Sequence, residues 1–198
     1  TAGGAAIALC LSAKFIAGTF VNAQAQAAVV APKFEVDLTW PKPLPNHWVL
    51  GFTIGVTADS QDHIFVVHRA ATLEAQEVAA TTTPSTAECC VPAPPVLEFD
   101  QAGNLVRAWG GPGEGYEWPQ SNHGITVDSK GNVWLGSNGP DDGHVLRFTH
   151  EGKFIKQYGF MYANAGSNDL FAFNRPAKVF LDERANEAYV ADGYGNRR

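Results

Sequence analysis

Positive charge and helical periodicity are both scarce in this 198-residue sequence. Lys and Arg total 14 against 20 Asp and Glu, which gives a formal net charge of −6. A nucleic-acid-binding surface needs clustered Lys and Arg to replace the counterions of the phosphates. No window repeats apolar residues at a spacing of 3.6 over three turns. The sequence therefore predicts no nucleic-acid partner and few helices.

The sequence also lacks the motifs of several common enzyme classes. It has no Gly-x-Ser-x-Gly elbow, P-loop, dinucleotide fingerprint or Cys-x-x-Cys pair. No His pair has a ligand spacing such as His-x-x-x-His, and His63 and His150 fall in turn contexts where we expect solvated side chains. Asp141-Asp142, flanked by glycines, is a weak pattern for a calcium loop, and an exposed turn is the alternative.

The first 27 residues differ in composition from the rest. Two apolar runs flank Lys14, and 23–27 offers two overlapping Ala-x-Ala sites of the kind that signal peptidase cleaves. A membrane anchor is the weaker alternative, because neither run has the ~20 apolar residues that span a bilayer. The sequence thus predicts a signal peptide at 1–27, truncated at its start, and a periplasmic or extracellular mature part at 28–198 with no membrane span.

Cysteine is rare, and its arrangement leaves two alternatives. Cys10 lies in the predicted signal peptide, so that only the adjacent Cys89 and Cys90 remain in the exported part. Export implies an oxidising compartment. Adjacent Cα atoms are ~3.8 Å apart, below the usual disulfide range of ~4.4–6.8 Å. The two cysteines either form a strained vicinal bridge or pair with cysteines beyond residue 198.

Internal repetition is the strongest positive signal. Segments 55–66, 124–135 and 177–190 each have a strand ending at an Asp, a polar turn and a second strand with alternating apolar residues. A further hairpin follows the first two, at 96–106 and 145–155. Phe99 and Phe148 are 49 residues apart. A period near 50 with four strands is typical of a β-propeller blade.

The sequence therefore predicts an all-β protein with about three blades. A ring needs ~4–8 blades, so we expect the N-terminal part of a longer propeller. A β-sandwich is the alternative, but sandwiches do not repeat a hairpin-pair sequence. An insert at 72–93, rich in Ala, Thr and Glu, is expected to be a surface loop.

The repeats resemble a known family. The Gly-x-x-x-Asp…Gly-Asn pattern and the hairpin Phe-Asp-x-x-Gly-Asn-Leu look like NHL repeats, which form six-bladed propellers. Residues 89–100 and 109–116 look like secreted bacterial NHL propellers of unassigned function. The resemblance covers about 34–198. It implies the fold and says little about activity, because propellers host many activities.

Three places resemble the peptidyl-α-hydroxyglycine α-amidating lyase propeller, which releases glyoxylate. The matching stretches are His68-Arg69, Asn122-His123-Gly124 and Asp192-Gly193-Tyr194. The resemblance implies an active-site Arg at 69, a zinc-binding His at 123 and a catalytic base at Tyr194. The lyase has a Cys where this sequence has Gly195, and the lyase's other two zinc-binding His would fall beyond residue 198.

Each of these residues also has a plainer interpretation. His123 could be hydrogen-bonded to a neighbouring blade, Arg69 could form a surface ion pair, and Tyr194 could pack between blades. Asp192 is expected to organise the turn that carries Tyr194. A non-enzymatic propeller that binds a small molecule or peptide in its channel is the alternative to a zinc-dependent lyase. A lactonase-like hydrolase would need a set of acidic calcium ligands that the sequence does not show.

Overall fold

Antiparallel strands dominate the structure, a computed structural model that describes residues 31–162 and 166–198. The chain divides into two units, 1–36 and 37–198. In the first unit, the described residues 31–36 are exposed and have no regular secondary structure. The predicted signal peptide at 1–27 lies outside the described residues. The second unit contains every strand described below.

The first blade is a four-stranded antiparallel sheet in the order β2-β3-β5-β6. Its strands are β2 (Phe52–Ala58), β3 (Ile64–Arg69), β5 (Val96–Phe99) and β6 (Leu105–Trp109). Two short strands, β1 (Trp48–Val49) and β4 (Val91–Pro92), pair in parallel beside it. Apolar residues alternate with Thr and Gly along β2, whereas β3 begins with the continuous apolar run Ile64–Val67, which suits a central strand covered on both faces.

The second blade repeats this arrangement, and a third begins after it. Strands β7 to β10 form the sheet of the second blade in the order β10-β9-β8-β7. They span β7 (Asn122–Val127), β8 (Val133–Ser137), β9 (His144–Phe148) and β10 (Phe154–Gly159). The hairpin of β11 (Val179–Asp182) and β12 (Glu187–Val190) follows. The prediction of an all-β partial propeller is confirmed: two whole blades are followed by the inner hairpin of a third.

In the first two repeats, the Asp that ends the inner strand closes the turn in the same way. Asp59 Oδ1 accepts the amides of Gln61 and His63 at 2.8 and 2.9 Å. Asp128 Oδ1 accepts the amides two and four residues further on, at 3.1 and 2.7 Å. A carboxylate that satisfies its own turn amides fixes the hairpin locally. The recurring Asp of the sequence repeat therefore has a structural cause.

The main core lies between the two complete blades. It is a cluster of fully buried side chains from both sheets: Phe65, Val67, Val96, Ile125, Val133, Leu135, Leu146 and Phe148. Trp109 packs on Phe148 with ring centroids 5.1 Å apart. Each such side chain contributes about 1.5–3 kcal/mol by leaving water. A smaller cluster of Trp134, Val145 and Val179 joins the second blade to the third hairpin.

Small residues let the inner strands approach one another. A Cβ added at Gly55 of β2 would lie 2.7 Å from the carbonyl oxygen of His123 on β7. Gly124 of β7 makes the same close approach to the backbone at Ala177, and its amide donates to the Ala177 carbonyl at 2.8 Å. The first strands of three successive repeats therefore lie side by side, as blades around one axis require.

The insert in the first blade is more ordered than the expected surface loop. It contains two 3-10 helices, Ala70–Thr72 and Ala75–Thr81, before β4. Glu74 and Glu77 form a reciprocal capping box at the start of the second helix. Cys89 and Cys90 are joined by a disulfide, which is the vicinal alternative. No helix among the described residues is both long enough and apolar enough to cross a membrane.

Candidate functional site

The three residues singled out from the sequence lie at one end of the blades. Arg69 is the last residue of β3 in the first blade, and His123 is the second residue of β7 in the second blade. Tyr194 lies in the loop that follows β12 of the third hairpin. The end of β3 lies beside the start of β7, since Arg69 Nε donates to the carbonyl of Asn122 and Asn122 Nδ2 donates to the carbonyl of His68. Each of three successive repeats thus contributes one side chain to this end.

A direct hydrogen bond links His123 to Tyr194 across 71 residues of sequence. His123 Nε2 and Tyr194 Oη are 3.0 Å apart, and the ring centroids are separated by 5.2 Å. Tyr194 is 56% exposed, whereas His123 is half-buried. A phenol hydroxyl in contact with an imidazole nitrogen and open to solvent can pass a proton between a ligand and the ring.

Arg69 bridges the first two blades. Its Nε donates to the backbone carbonyl of Asn122 at 2.9 Å, and its Nη2 donates to Asn138 Oδ1 at 2.7 Å. Ser121 Oγ donates to the same Asn138 oxygen at 2.9 Å. No carboxylate among residues 31–162 and 166–198 forms an ion pair with Arg69. Among the described residues, Arg69 is held by a carbonyl and an amide oxygen rather than by a carboxylate, and a guanidinium held in this way can bind an anion.

Burial and the neighbouring guanidinium set the charge of His123. Burial lowers the pKa of this imidazole, and the positive charge of Arg69 lowers it further. A hydrogen bond with the backbone at Ala177 opposes this shift only in part. Because the pKa falls from its ordinary value of 6.5, His123 is neutral at neutral pH. A neutral imidazole can accept the proton of the Tyr194 hydroxyl.

Two asparagines that sequence reasoning missed hold this arrangement. Asn122 is almost fully buried, and its Nδ2 donates to the carbonyl of His68 at 3.0 Å. Asn122 and Asn138 thus both connect the second blade to the end of β3. The sequence offered one signal, since Asn122 immediately precedes His123. Asn138 follows β8 and carries no signal, because its role depends on where Arg69 arrives from another blade.

His68 has a structural role. It is fully buried, and its Nδ1 accepts the amide of Gly51 at 3.1 Å. Its Nε2 therefore carries the hydrogen and faces the carbonyl of Pro94 at 3.0 Å. Burial lowers the pKa of His68. The ring ties the end of β3 to the segment before β5, and its backbone positions the adjacent Arg69.

Asp192 orders the loop that presents Tyr194, as the sequence indicates. The carboxylate is buried and accepts the Asn174 amide at 2.7 Å. Asn196 Nδ2 and Arg198 Nε each donate to its other oxygen at 2.8 Å. These donors come from both sides of the loop, so they fix its path and the position of the exposed ring.

The described residues supply only part of a zinc site at His123. Positions that match His123 in the neighbouring repeats are Ile54 and Ala177, neither of which has a side chain that binds metal. Catalytic zinc needs three protein ligands and an open position. The described blades do not meet this requirement, and zinc at His123 stays a prediction that depends on residues outside them.

The loop at 139–143, a weak pattern for calcium, is held by backbone amides that donate to Asp142. Asp142 is buried rather than an exposed turn residue. Its oxygens accept the amides of Gln120, Ser121 and Gly139 at 2.9, 3.1 and 2.7 Å. A carboxylate surrounded by N–H donors closes a loop and does not offer its oxygens to a cation.

A second polar cluster, missed from the sequence, lies at the opposite end of the blades. Glu98 of β5 is 1% exposed and contacts His63, Arg107 and His150. Both imidazole side chains are 24% exposed and engaged with Glu98, so the expectation of solvated turn histidines is wrong. Burial by itself would raise the pKa of Glu98, but hydrogen bonds from these three side chains outweigh it and the pKa falls. The hydrogen bond to Glu98 raises the pKa of His63.

Comparison with known proteins gives likenesses to solved structures only, among them two structures of virginiamycin B lyase. No protein-family model matches this chain, and no curated protein matches its sequence. A catalytically inactive variant of virginiamycin B lyase from Staphylococcus aureus, solved with quinupristin, matches with 16% identity and a TM-score of 0.43. That match covers 77% of this chain and 38% of the lyase. Selenomethionine-substituted virginiamycin B lyase from the same organism matches with 14% identity and a TM-score of 0.40, over 71% of this chain and 34% of the lyase.

These likenesses are too distant to assign an activity. The matched part of this chain corresponds to only about a third of the lyase's length. The propeller assignment here rests on the chain's own sheets, their order and their repeat. NHL type, export and zinc binding remain predictions from the sequence.

Proposed function

We propose that this propeller is a lyase that breaks a carbon–nitrogen bond in a hydroxyglycine-type substrate carrying a carboxylate. The single observation that carries the proposal is the 3.0 Å contact between His123 Nε2 and Tyr194 Oη, with Arg69 beside them. The three residues come from three repeats, and a local sequence motif indicates each of them. A small molecule or peptide would bind at this end of the channel.

Arg69 would bind the substrate's carboxylate. Its Nε and Nη2 are held by Asn122 and Asn138, which orient the planar guanidinium. A guanidinium fixed in this way binds a carboxylate with defined geometry, and its charge also keeps His123 neutral. Binding and the protonation state of the relay are thus coupled through one side chain.

Tyr194 and His123 would move the proton. Tyr194 Oη takes the proton of the substrate's hemiaminal hydroxyl and passes its own proton to His123 Nε2. The hydroxyl oxygen forms a C=O bond, the C–N bond breaks, and its electron pair leaves with the nitrogen. That nitrogen takes up a proton from water, and His123 returns its proton to solvent. Atoms and charge balance, and the products are an amide and an aldehyde acid, glyoxylate for a hydroxyglycine.

In this proposal, His123 is the one described residue that would bind zinc. His123 would provide one ligand, and the others would come from outside the described residues. A bound zinc ion would act as a Lewis acid on the substrate's oxygen. Nε2 of His123 can either bind zinc or accept the Tyr194 proton, so the relay to His123 describes the metal-free site. With zinc bound there, the Tyr194 proton would leave to solvent.

The test is release of glyoxylate from a peptidyl-α-hydroxyglycine by the full-length protein. We expect Tyr194→Phe to lower kcat by about 10²–10⁴-fold, the usual contribution of a general base. Arg69→Lys should raise KM because the fixed fork is lost. Tyr189→Phe is the matched control, since Tyr189 carries an exposed hydroxyl bonded to Glu187 in the same repeat. No glyoxylate from wild type, or equal rates for Tyr194→Phe and wild type, would refute the proposal.

A non-enzymatic binding propeller is the second candidate, and one observation favours it. Ile54 and Ala177 occupy the positions that match His123, so the first three repeats do not converge histidines on the channel. A binding protein would retain a carboxylate ligand through Arg69 without turning it over. Binding measured by calorimetry in the absence of glyoxylate release would identify this function.

A further inference from the structure

The cluster around Glu98 differs from the matching part of the second blade, because it has an acidic residue where the second blade has a basic one. In the second blade, Arg147 on β9 forms an ion pair with Asp128 at 2.7 Å. The pairing of β8 with β9 sets Trp134 opposite Arg147, and the pairing of β3 with β5 sets Phe65 opposite Glu98. Glu98 therefore occupies in the first blade the position of Arg147. Two acids, Asp59 and Glu98, stand where the second blade has an acid and a base.

Two imidazole nitrogens converge on one oxygen of this buried carboxylate. His63 Nδ1 lies 2.6 Å and His150 Nε2 lies 2.9 Å from Glu98 Oε1. Ligand atoms of Asp59, His63 and Glu98 all lie within 4.8 Å of one another. Arg107 Nη1 contacts the other oxygen, Oε2, at 2.6 Å, so Oε1 is left to the imidazoles.

The cluster comes from both complete blades. His63 lies in the turn between β2 and β3, and Glu98 lies on β5. His150 lies in the turn between β9 and β10 of the second blade, where its ring packs edge-on against Phe65 with centroids 5.3 Å apart. Whatever occupies the space between His63, Glu98 and His150 therefore links one blade to the next.

Charge and ligand type select a divalent transition metal. Two carboxylates and one guanidinium leave a single unbalanced negative charge when both imidazoles are neutral. Zinc binds His nitrogen and carboxylate oxygen at about 2.0–2.2 Å, which places tetrahedral ligand atoms about 3.3 Å apart. Relative to that spacing, the two N···O distances of 2.6 and 2.9 Å would widen by about 0.7 and 0.4 Å. His150 lies outside the group of ligand atoms that are within 4.8 Å of one another, so its ring would move towards the ion. Both imidazoles are partly exposed, so an ion can enter from solvent.

Asp59 completes the set. Its Oδ1 accepts two turn amides, which fixes the carboxylate. Its Oδ2 accepts no hydrogen bond from any described residue. A carboxylate anchored by one oxygen and free at the other is prepared to bind a cation.

We propose that His63, Glu98, His150 and Asp59 form a zinc-type structural metal site that joins the first blade to the second. The site is independent of His123. The strand β7 separates the two ends of the blade, and His123 and the Asp128 turn are five residues, or about 16 Å, apart along it. A metal here would stabilise the interface between blades and take no part in the proposed reaction.

Zinc titration of the full-length protein tests this proposal. Zn²⁺ should raise the melting temperature in a concentration-dependent way. His150→Gln should weaken zinc binding at least about tenfold, as the loss of a ligand requires. Glu98→Gln should do the same, and His150→Gln remains informative if the buried Glu98 variant fails to fold. His47→Asn is the matched control, because His47 is an exposed imidazole outside the cluster.

A second measurement separates this site from the proposed one. His123→Ala should keep the zinc-induced rise in melting temperature, whereas His150→Gln should lose it and keep glyoxylate release. Histidine ¹⁵N spectra should show zinc on Nδ1 of His63 and on Nε2 of His150. Equal zinc affinity in wild type and His150→Gln would overturn the proposal, as would zinc shifts confined to His123. In that case the cluster is a brace of ion pairs between blades.

Discussion

Asp128 is predicted to be the most costly polar residue to remove from the second blade. Its carboxylate accepts the amides of Lys130 and Asn132 at 3.1 and 2.7 Å and the Asn132 side chain at 2.9 Å. Trp134 Nε1 donates to it at 3.3 Å and Arg147 Nη2 at 2.7 Å. One side chain therefore closes the inner turn and ties it to the adjacent strands.

The expected loss in the free energy of unfolding follows from the burial of Asp128 and Arg147. The side chain of Asp128 is 7% exposed and that of Arg147 is 24% exposed, so water can replace little of the lost interaction. Hydrogen bonds to a charged group contribute about 1.5–3 kcal/mol, and removing one partner of a buried pair costs about 3–5 kcal/mol. The contributions are not additive, because all donors share two oxygens. We expect Asp128→Ala to lower the free energy of unfolding by about 3–4 kcal/mol.

Urea unfolding followed by circular dichroism measures this loss. With a slope of about 2–3 kcal/mol/M, the midpoint should fall by about 1–2 M. Asp100→Ala is the matched control, since Asp100 closes an outer turn through Asn104 and the Ala102 amide, without the arginine pair of Asp128, and should shift the midpoint much less. In a double-mutant cycle, Asp128→Ala and Arg147→Ala should couple by about 1–3 kcal/mol. Equal midpoints for the Asp128 and Asp100 variants would refute the reasoning.

Two further outcomes follow from the same structure. Gly55→Ala should destabilise the protein by about 1–3 kcal/mol, because the added Cβ would lie 2.7 Å from the His123 carbonyl oxygen. Gly193→Ala should be neutral, because a Cβ at Gly193 meets nothing within 4 Å. Equal melting temperatures for the two variants would contradict this reasoning. Burial would raise the pKa of Asp128, but hydrogen bonds from Asn132, Trp134 and Arg147 outweigh it and lower that pKa below the ordinary 3.8. Its stabilisation is therefore full above pH 3.8 and is lost as the pH falls through the lower folded value. The urea midpoints of wild type and Asp128→Asn should accordingly converge as the pH falls below 3.8, and a constant gap would exclude this origin.

The candidate site shows which features could be predicted from the sequence and which could not. Arg69, His123 and Tyr194 could be selected from local motifs, and the repeat placed two of them at corresponding ends of successive blades. Their contacts could not be derived, because the position of Arg69 depends on Asn122 and Asn138 in another blade. The contacts of His63 and His150 also depend on tertiary structure. Glu98 reaches His63 from another strand of the same blade, and it reaches His150 from the neighbouring blade.

One clue to the Glu98 cluster was present in the repeat itself. Aligning 96–106 with 145–155 sets Glu98 against Arg147, an acid against a base at a position with the same neighbours. Because the charge at this position is reversed, Glu98 is expected to pair with a different kind of residue from the one that pairs with Arg147. The repeat does not show which residue that is. His150 is 52 residues away in sequence and reaches Glu98 only because the two blades stack.

The amino-acid sequence by itself determined the strands, the Asp-closed turns and the order of four antiparallel strands per blade. These features depend on side-chain alternation and on hydrogen bonds between residues two to four positions apart. Tertiary structure alone decided which imidazole meets which carboxylate or phenol. Such pairs join residues that are distant in sequence, on different strands of one blade or on different blades, and the close approach of the inner strands at Gly55 and Gly124 brings neighbouring blades together.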